Sequence, residues 1–285
     1  MIDLHTHTYE SDGTYSPAEL IESARALPLE ALAITDHDTF AGYDQALPLA
    51  QDHNFDLVCG LEMTTRHENH HRVFSIHMLA YFLHQPPAAE FRAWLDEILE
   101  GRRDRNVRLI RNLQDAGVDI KLEEVEKMGR TLTGRPHFAK VLVNKGYATT
   151  AEDAFRRYLG ENAPHYAERY GPETTYAIGR VRAAGGLPVV AHPVRLGVFD
   201  HQHETKLIGD LRDAGMAGIE VYHSDHDRED VERYARMARE LDLAVTGGSD
   251  FHGAAKPGIS LGTGYGGNVE VPRSVLDELR KMPHV

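Results

Sequence analysis

Seven short apolar runs, near residues 1–5, 31–35, 56–62, 73–82, 187–192, 217–222 and 243–247, punctuate the chain and limit what it can become. Most are separated by stretches with helical periodicity. Ser16-Pro17 followed by Ala18-Glu19-Leu20-Ile21 reads as an N-cap, a proline at the first helical position and an amphipathic helix. Stretches 202–214 and 228–241 also place apolar residues at helical spacing. Strands alternating with helices predict a parallel sheet or barrel of the α/β class.

One stretch breaks this alternation. Between about residues 88 and 170 there is almost no strand signal, and helices are expected over 91–113, 121–128, 136–145 and 151–158. The expected organisation is a barrel formed by residues 1–87 and 171–285, with a helical insertion subdomain at 88–170. Basic residues gather in the insertion: Arg102, Arg103, Arg105, Arg108, Arg111, Arg130, Arg135 and Lys140. The 102–111 group reads as a solvated helix face. Arg135 differs, because Thr133-Gly134-Arg135-Pro136-His137 is a turn feeding a helix N-terminus, a favourable place for an anion.

The chemistry-bearing residues follow the apolar runs. His5 and His7 lie two apart, and in a strand such residues project from the same face. Asp12 comes next, then His37 within Asp36-His37-Asp38, Glu62 closing the third run, His77 inside the fourth, His192 after the fifth, and Asp250 and His252 after the seventh. Parallel α/β barrels place their sites at the C-terminal ends of strands, and all but His77 fit that position. Burying nine imidazoles and carboxylates without partners would cost several kcal/mol each, roughly, and a cluster of divalent transition-metal ions supplies the partners.

Composition narrows the remaining classes. The formal charge of −13 argues against tight binding to duplex DNA, and three bound divalent ions would offset six of those negative charges. No apolar run approaches the roughly 18 residues of a membrane helix, and no signal-like segment stands at the N-terminus, so the expected location is cytoplasmic. Cys59, the single cysteine, sits in an apolar run and reads as core filler. His67, His70 and His71 cluster in a polar, loop-like stretch and read as solvated.

His5-Thr6-His7, Thr35-Asp36-His37-Asp38, Gly60-Leu61-Glu62, Ala191-His192-Pro193 and Gly248-Ser249-Asp250-Phe251-His252 resemble the ordered motifs of the PHP (polymerase and histidinol phosphatase) family, grouped with the amidohydrolase-like metal hydrolases. The resemblance implies a distorted (β/α)7 barrel with a trinuclear centre. It also implies an allocation: His5, His7, Glu62 and Asp250 for one ion, Glu62, His77 and His192 for a second, and Asp12, His37 and His252 for the third. Mixed nitrogen and oxygen ligands suit manganese first, with iron or zinc as alternatives.

The insertion motifs Gly134-Arg135-Pro136-His137-Phe138-Ala139, Phe155-Arg156-Arg157-Tyr158-Leu159 and Pro164-His165-Tyr166 resemble the TrpH/YciV-like branch of that family. The implied reaction is removal of the 3′-phosphate from nucleoside 3′,5′-bisphosphates by a metal-bridging hydroxide, leaving the 5′-monophosphate. Glu62, His192, Asp250 and Arg135 would then be catalytic. Arg135, His137, Arg195 and His223 are the expected substrate contacts, with His223 also a candidate for protonating the leaving group. The small nucleotide is the expected partner, with short RNA ends as an alternative. A 5′-3′ exonuclease on short RNA, a histidinol-phosphate phosphatase, a C–N amidohydrolase and a non-enzymatic module attached to a polymerase remain as alternatives.

Overall fold

A computed structural model describes residues 1–69, 72–129, 131–160, 163–168, 170–198 and 200–282 of the chain. His70, His71 and Arg130 lie outside the described residues. Seven strands form one sheet: β1 (Ile2–Asp3), β2 (Ala31–Ile34), β3 (Asp56–Asn69), β4 (Arg72–Phe82), β5 (Leu187–Val190), β6 (Gly218–His223) and β7 (Ala244–Gly248). They pair in sequence order, β1 to β7. Leu4 N–H donates to Gly247 O at 3.2 Å, bringing the first and last strands together in a nearly closed barrel.

The barrel departs from the all-parallel expectation at one strand. β1, β2 and β3 run parallel, and so do β5, β6 and β7. β4 is antiparallel to both of its neighbours, β3 and β5. The cause is local: β3 does not stop near residue 62 but continues to Asn69, and β4 pairs antiparallel along it from Arg72. A hairpin needs no crossover helix. His67 therefore belongs to a strand, paired opposite Phe74 with ring centroids 5.2 Å apart, and is not a loop residue.

Strand periodicity decides what faces the barrel axis. On β2, Ala31 and Ala33 join the inner apolar cluster, whereas Leu32 and Ile34 pack outward against α1 (Pro17–Ala26) and α2 (Ala41–Asp52). On β4, Leu79 and Tyr81 face inward, and two-residue spacing puts His77 on the same face. The strand is reversed, so its ligand candidate arises within the strand and not beyond its C-terminal end. Cys59 packs outward, buried, its thiol pushed up by that burial.

The insertion starts with α3 (Ala89–Asp115) and continues through α4 (Leu122–Glu126), α5 (Arg135–Asn144) and α6 (Ala151–Ala154), which runs on into a π-helical turn at Phe155–Leu159. It surrounds its own apolar cluster, including Leu113, Ile120, Phe138, Leu142 and Leu159. The chain then returns to the barrel through α7 (Thr174–Ala183), α8 (His201–Asp213), α9 (Arg228–Glu240) and α10 (Arg273–Leu279). Among the described residues no helix is long and apolar enough to cross a membrane.

Barrel closure requires glycine at position 248. A Cβ there would lie 2.3 Å from His5 N and 2.7 Å from Asp3 Oδ1. Gly179, exposed in α7, would meet nothing within 4 Å. Gly248→Ala is expected to lower stability by about 1–3 kcal/mol, while Gly179→Ala raises it by about 0.5–1 kcal/mol. Paired thermal melts check both signs.

Candidate metal centre

The nine expected ligand residues converge at one end of the barrel. His5 and His7 follow β1, which ends at Asp3, two residues earlier than expected. The extended segment continues between its neighbours: Thr35 N–H donates to Thr6 O at 2.8 Å and Asp250 N–H to His5 O at 2.8 Å. Both rings stay on one side, with centroids 5.3 Å apart. Asp12 lies in the following turn. That turn is tied down by buried Asp36, which accepts from Thr8 N–H at 2.7 Å, Thr8 Oγ1 at 2.6 Å and Ser11 Oγ at 2.6 Å. A second buried carboxylate, Asp3, accepts from Ser249 N–H at 2.9 Å, Ser249 Oγ at 2.6 Å and Gly262 N–H at 2.8 Å, and so fixes the turn carrying Asp250.

Glu62 is the centre of the cluster. Its Oε1 lies 2.7 Å from His77 Nδ1 and 2.8 Å from His192 Nε2. Its Oε2 lies 3.2 Å from His7 Nε2, 3.3 Å from His5 Nε2 and 3.4 Å from His37 Nδ1. Asp250 Oδ1 is 3.5 Å from His5 Nε2 and 3.4 Å from His7 Nε2. Asp12 Oδ1 is 3.2 Å from His252 Nε2, and Asp12 Oδ2 is 3.7 Å from His37 Nε2. Ligand atoms of His5, His7, Glu62 and Asp250 all lie within 4.8 Å of one another, as do those of His7, Asp12, His37 and His252.

This donor set fits divalent cations. His7 Nε2 is fully buried and makes no aligned hydrogen bond, although two carboxylates flank it. Ring nitrogens that face away from the centre are held by protein groups: His5 Nδ1 by Glu220 Oε1 at 2.8 Å and His252 Nδ1 by the Asp250 carbonyl at 2.8 Å. Such outer bonds set the tautomer and aim the ring. Backbone strain also collects here. Asp38, His192 and Asp250 adopt φ of 52°, 27° and 56°, a left-handed region that non-glycine residues enter only when their surroundings compel it.

The electrostatics are mutual. Burial opposes ionisation of Glu62, but the imidazoles of His37, His77 and His5 hold its carboxyl well below the usual range. For Asp12 the same opposition is overcome by His252 and His37, and for Asp250 by Lys256 and His252. Burial pushes His192 down to about 3 and His252 down to about 4, so both stay neutral with a lone pair to offer. Burial pushes His7 down as well, yet the flanking carboxylates of Asp250 and Glu62 raise it to about 9.

Around this floor the chain forms a cleft of about 220 Å³. Arg135 lines it, with Nη1 donating to Leu159 O at 3.3 Å. Arg195 lines it too, Nε donating to Asp225 at 2.6 Å and Nη1 to Asp250 at 3.0 Å. His223 is buried, accepts Asp225 N–H at Nδ1 (3.0 Å), and so carries its proton on Nε2, 3.4 Å from Asp250 Oδ2. His137 also lines the cleft, but its ring is engaged by backbone, accepting Gly134 N–H at 3.1 Å and bonding to Ser11.

The solvated-face reading of residues 102–111 needs correction. Arg103, Arg108 and Arg111 are exposed, but Arg102 and Arg105 are buried and line the cleft, Arg102 paired with buried Asp38. Three further residues escaped sequence reasoning. Glu220, wholly buried, holds His5 and accepts His192 N–H at 2.6 Å; it is held down to about 2, where His5 and His223 outweigh the opposing effect of burial. A lone carboxylate inside the apolar run Gly218-Ile219-Glu220-Val221 was the available signal. Asp3, inside Met1-Ile2-Asp3-Leu4, offered the same one. Lys256, whose Nζ bonds Asp250 Oδ2 at 2.6 Å, lies in a polar loop and offered none.

Comparison with known proteins places this geometry. Residues 3–160 match the model of the PHP domain. The chain is 32% identical over 250 residues to a 5′-3′ exoribonuclease of Haemophilus influenzae, covering 88% of this chain and 89% of that one. It is 31% identical over 263 residues to a 3′,5′-nucleoside bisphosphate phosphatase of Chromobacterium violaceum, covering 92% and 90%. Among solved structures, one from Bifidobacterium adolescentis described as a metal-dependent phosphoesterase superposes with a TM-score of 0.82 at 32% identity, covering 99% of this chain and 96% of the other.

Two outcomes follow from the geometry. Glu220→Gln removes the charge that aims His5 and is expected to weaken divalent-metal affinity about 10–100-fold with the fold retained, as read by metal content after equilibrium dialysis and by circular dichroism. His226, buried and bonded to Val221 O at 2.8 Å, is pushed down to about 4 by burial and by neighbouring His223. Its unfolded-state pKa is about 6.5, so between pH 6.5 and 4 the unfolded chain binds the extra proton and stability falls with pH. His226→Gln should flatten the fall in Tm across that window relative to the parent; an unchanged slope would contradict a neutral buried imidazole.

Proposed function

Because the chain belongs to the PHP-domain family and is a hydrolase acting on phosphoesters, we propose that it removes the 3′-phosphate from nucleoside 3′,5′-bisphosphates. The observation that carries this reading is the opposition of two groups across one cleft. Seven of the nine ligand residues line the cleft, with His5 and His7 wholly buried, and the insertion adds Arg105, Arg135 and the Asp38-paired Arg102 to the same lining. A substrate bearing two phosphates on one ribose has an anion for each side.

In this reading three divalent ions, manganese first among them, are held as His5, His7, Glu62 and Asp250; Glu62, His77 and His192; and Asp12, His37 and His252. When bound, such ions lower the pKa of a water to near neutrality and neutralise phosphoryl oxygens. Glu62 suits a shared position because a carboxylate has two oxygens, and its two oxygens face different histidines. Asp250 and His192 are set by strained backbone, so their side chains are aimed before substrate arrives. Arg135 pairs with phosphate through its planar fork. Arg195, anchored by Asp225, balances Asp250 and offers its guanidinium to the same cleft. His223, buried and with Nε2 3.4 Å from Asp250 Oδ2, is outside the cleft lining and is assigned to positioning that carboxylate, not to protonating the departing oxygen. His137 holds the turn that carries Arg135; with its ring engaged by Gly134 and Ser11, it is assigned that positioning role and not a phosphate contact.

The second reading is stepwise hydrolysis of short RNA from its 5′ end, favoured by a neighbouring groove that shares Thr64 and Tyr170 with the cleft. Histidinol phosphate, with one phosphate and an ammonium group, fits three facing arginines poorly.

Release of inorganic phosphate from the two monoesters, and of mononucleotides from the RNA, decides among these readings. With added manganese, adenosine 3′,5′-bisphosphate should be hydrolysed faster than histidinol phosphate or a short 5′-phosphorylated RNA, and a chelator should abolish the activity until metal is restored. Arg135→Ala should lower kcat/KM for the bisphosphate about 10–100-fold, as expected for loss of a charged hydrogen bond. An unchanged kcat/KM removes the proposed clamp. His192→Asn should lose turnover while remaining folded.

A further inference from the structure

Two glycines seat one aromatic side chain at the edge of the cleft. Gly101 lies in the interior of α3, where glycine costs about 1 kcal/mol relative to alanine. A Cβ there would stand 2.1 Å from Cε1 and 2.2 Å from Cζ of Tyr170, so the ring edge rests directly on the helix backbone. On the other side, a Cβ on Gly171 would stand 2.7 Å from the carbonyl oxygen of Thr64. Arg66 N–H donates to Pro172 O at 2.8 Å, fastening the same segment to β3. Tyr170 is therefore wedged between α3 and β3, yet it remains 44% exposed. A large side chain held this firmly and still exposed stabilises the core little, and its placement calls for a ligand.

Tyr170 lines two cavities at once. It borders the metal cleft and, together with Thr64, a second groove that also includes Thr65, Phe74, Ser75 and Tyr166. Among the described residues lining the groove, the charged side chains are Arg66 and Glu168, 3.9 Å apart. Aromatic faces mixed with hydroxyl groups suit an uncharged planar ring with polar edges, which is the chemistry of a nucleobase.

The geometry points to Tyr170 as the stacking platform for the base of a nucleotide whose phosphate lies on the ligand floor, with Gly101 as the residue that sets its position. This inference rests on the nucleotide reading of the cleft. Tyr170 is a specificity-determining residue and holds no part of the reacting phosphate. Because the ring is fixed beforehand, little side-chain entropy is lost when a base stacks on it.

The test compares nucleotides with and without a base. Binding of adenosine 5′-monophosphate and ribose 5-phosphate is measured by calorimetry on the metal-loaded protein, alongside turnover of adenosine 3′,5′-bisphosphate and ribose 3,5-bisphosphate. The parent should favour the base-bearing compound about 10-fold or more in both measurements. Tyr170→Ala should abolish that preference by raising KM for the base-bearing compound, and Tyr170→Phe should restore it. Gly101→Ala, which displaces the ring without altering it, should behave like Tyr170→Ala. A preference that survives Tyr170→Ala, or a parent that has none, overturns the platform even if bisphosphates are hydrolysed. A Tyr170-dependent preference in binding without hydrolysis of any bisphosphate supports the platform and rejects the substrate reading instead.

Discussion

The carboxylate of Glu62 lies 1% exposed at the point where five imidazoles meet. A buried charge of this kind is strongly unfavourable without cationic or hydrogen-bonding partners. Those partners arrive from β4 and from the chain segments that leave β1, β2 and β5, so one residue makes the folding of distant parts of the chain interdependent. The surrounding groups serve to hold that meeting point in register. Glu220 anchors His5 and the His192 backbone, Asp36 ties the turn carrying Asp12, and Asp3 ties the turn carrying Asp250. The glycine at 248 lets β7 approach β1 closely enough to bring Asp250 against His5 and His7.

Much of this was legible because strand periodicity and ligand chemistry are both local. Apolar runs announced every strand of the sheet, and the polar residues in and after them identified the nine candidates that the fold brings together. What was lost depended on pairing. The reversal of β4 cannot be read from a run of apolar residues, since parallel and antiparallel strands share the same two-residue alternation. Arg102 and Arg105 looked like one face of a charged helix, because no local pattern tells that buried Asp38 and the cleft lie opposite them. Glu220 was readable in principle, as a carboxylate in an otherwise apolar strand, but its partners come from elements 215 and 28 residues away in sequence.

The barrel and the insertion divide the work by chemistry. The barrel supplies imidazoles and carboxylates, the groups that hold divalent cations, and fixes them with strained backbone and buried hydrogen bonds. The helical segment between β4 and β5 adds Arg102, Arg105, Arg135, Phe155 and Tyr170 to the lining of the cleft. The acidic net charge of the whole chain is compatible with an anionic substrate because Arg102, Arg105, Arg135, Arg195 and Lys256 line the cleft.

The reversed strand has an architectural effect beyond the ligand it delivers. β4 carries the chain back toward the end of the barrel opposite the metal floor, and α3 must climb the full height again before its arginines can reach the cleft. The stretch of α3 from Ala89 to Arg102 rises about 20 Å, so that part of the helix acts as a mast that lifts its arginines to the cleft. Each turn gained or lost along it would raise or lower the canopy by about 5.4 Å. The size of the cargo admitted could thus drift over evolutionary time while the inorganic core beneath stayed untouched.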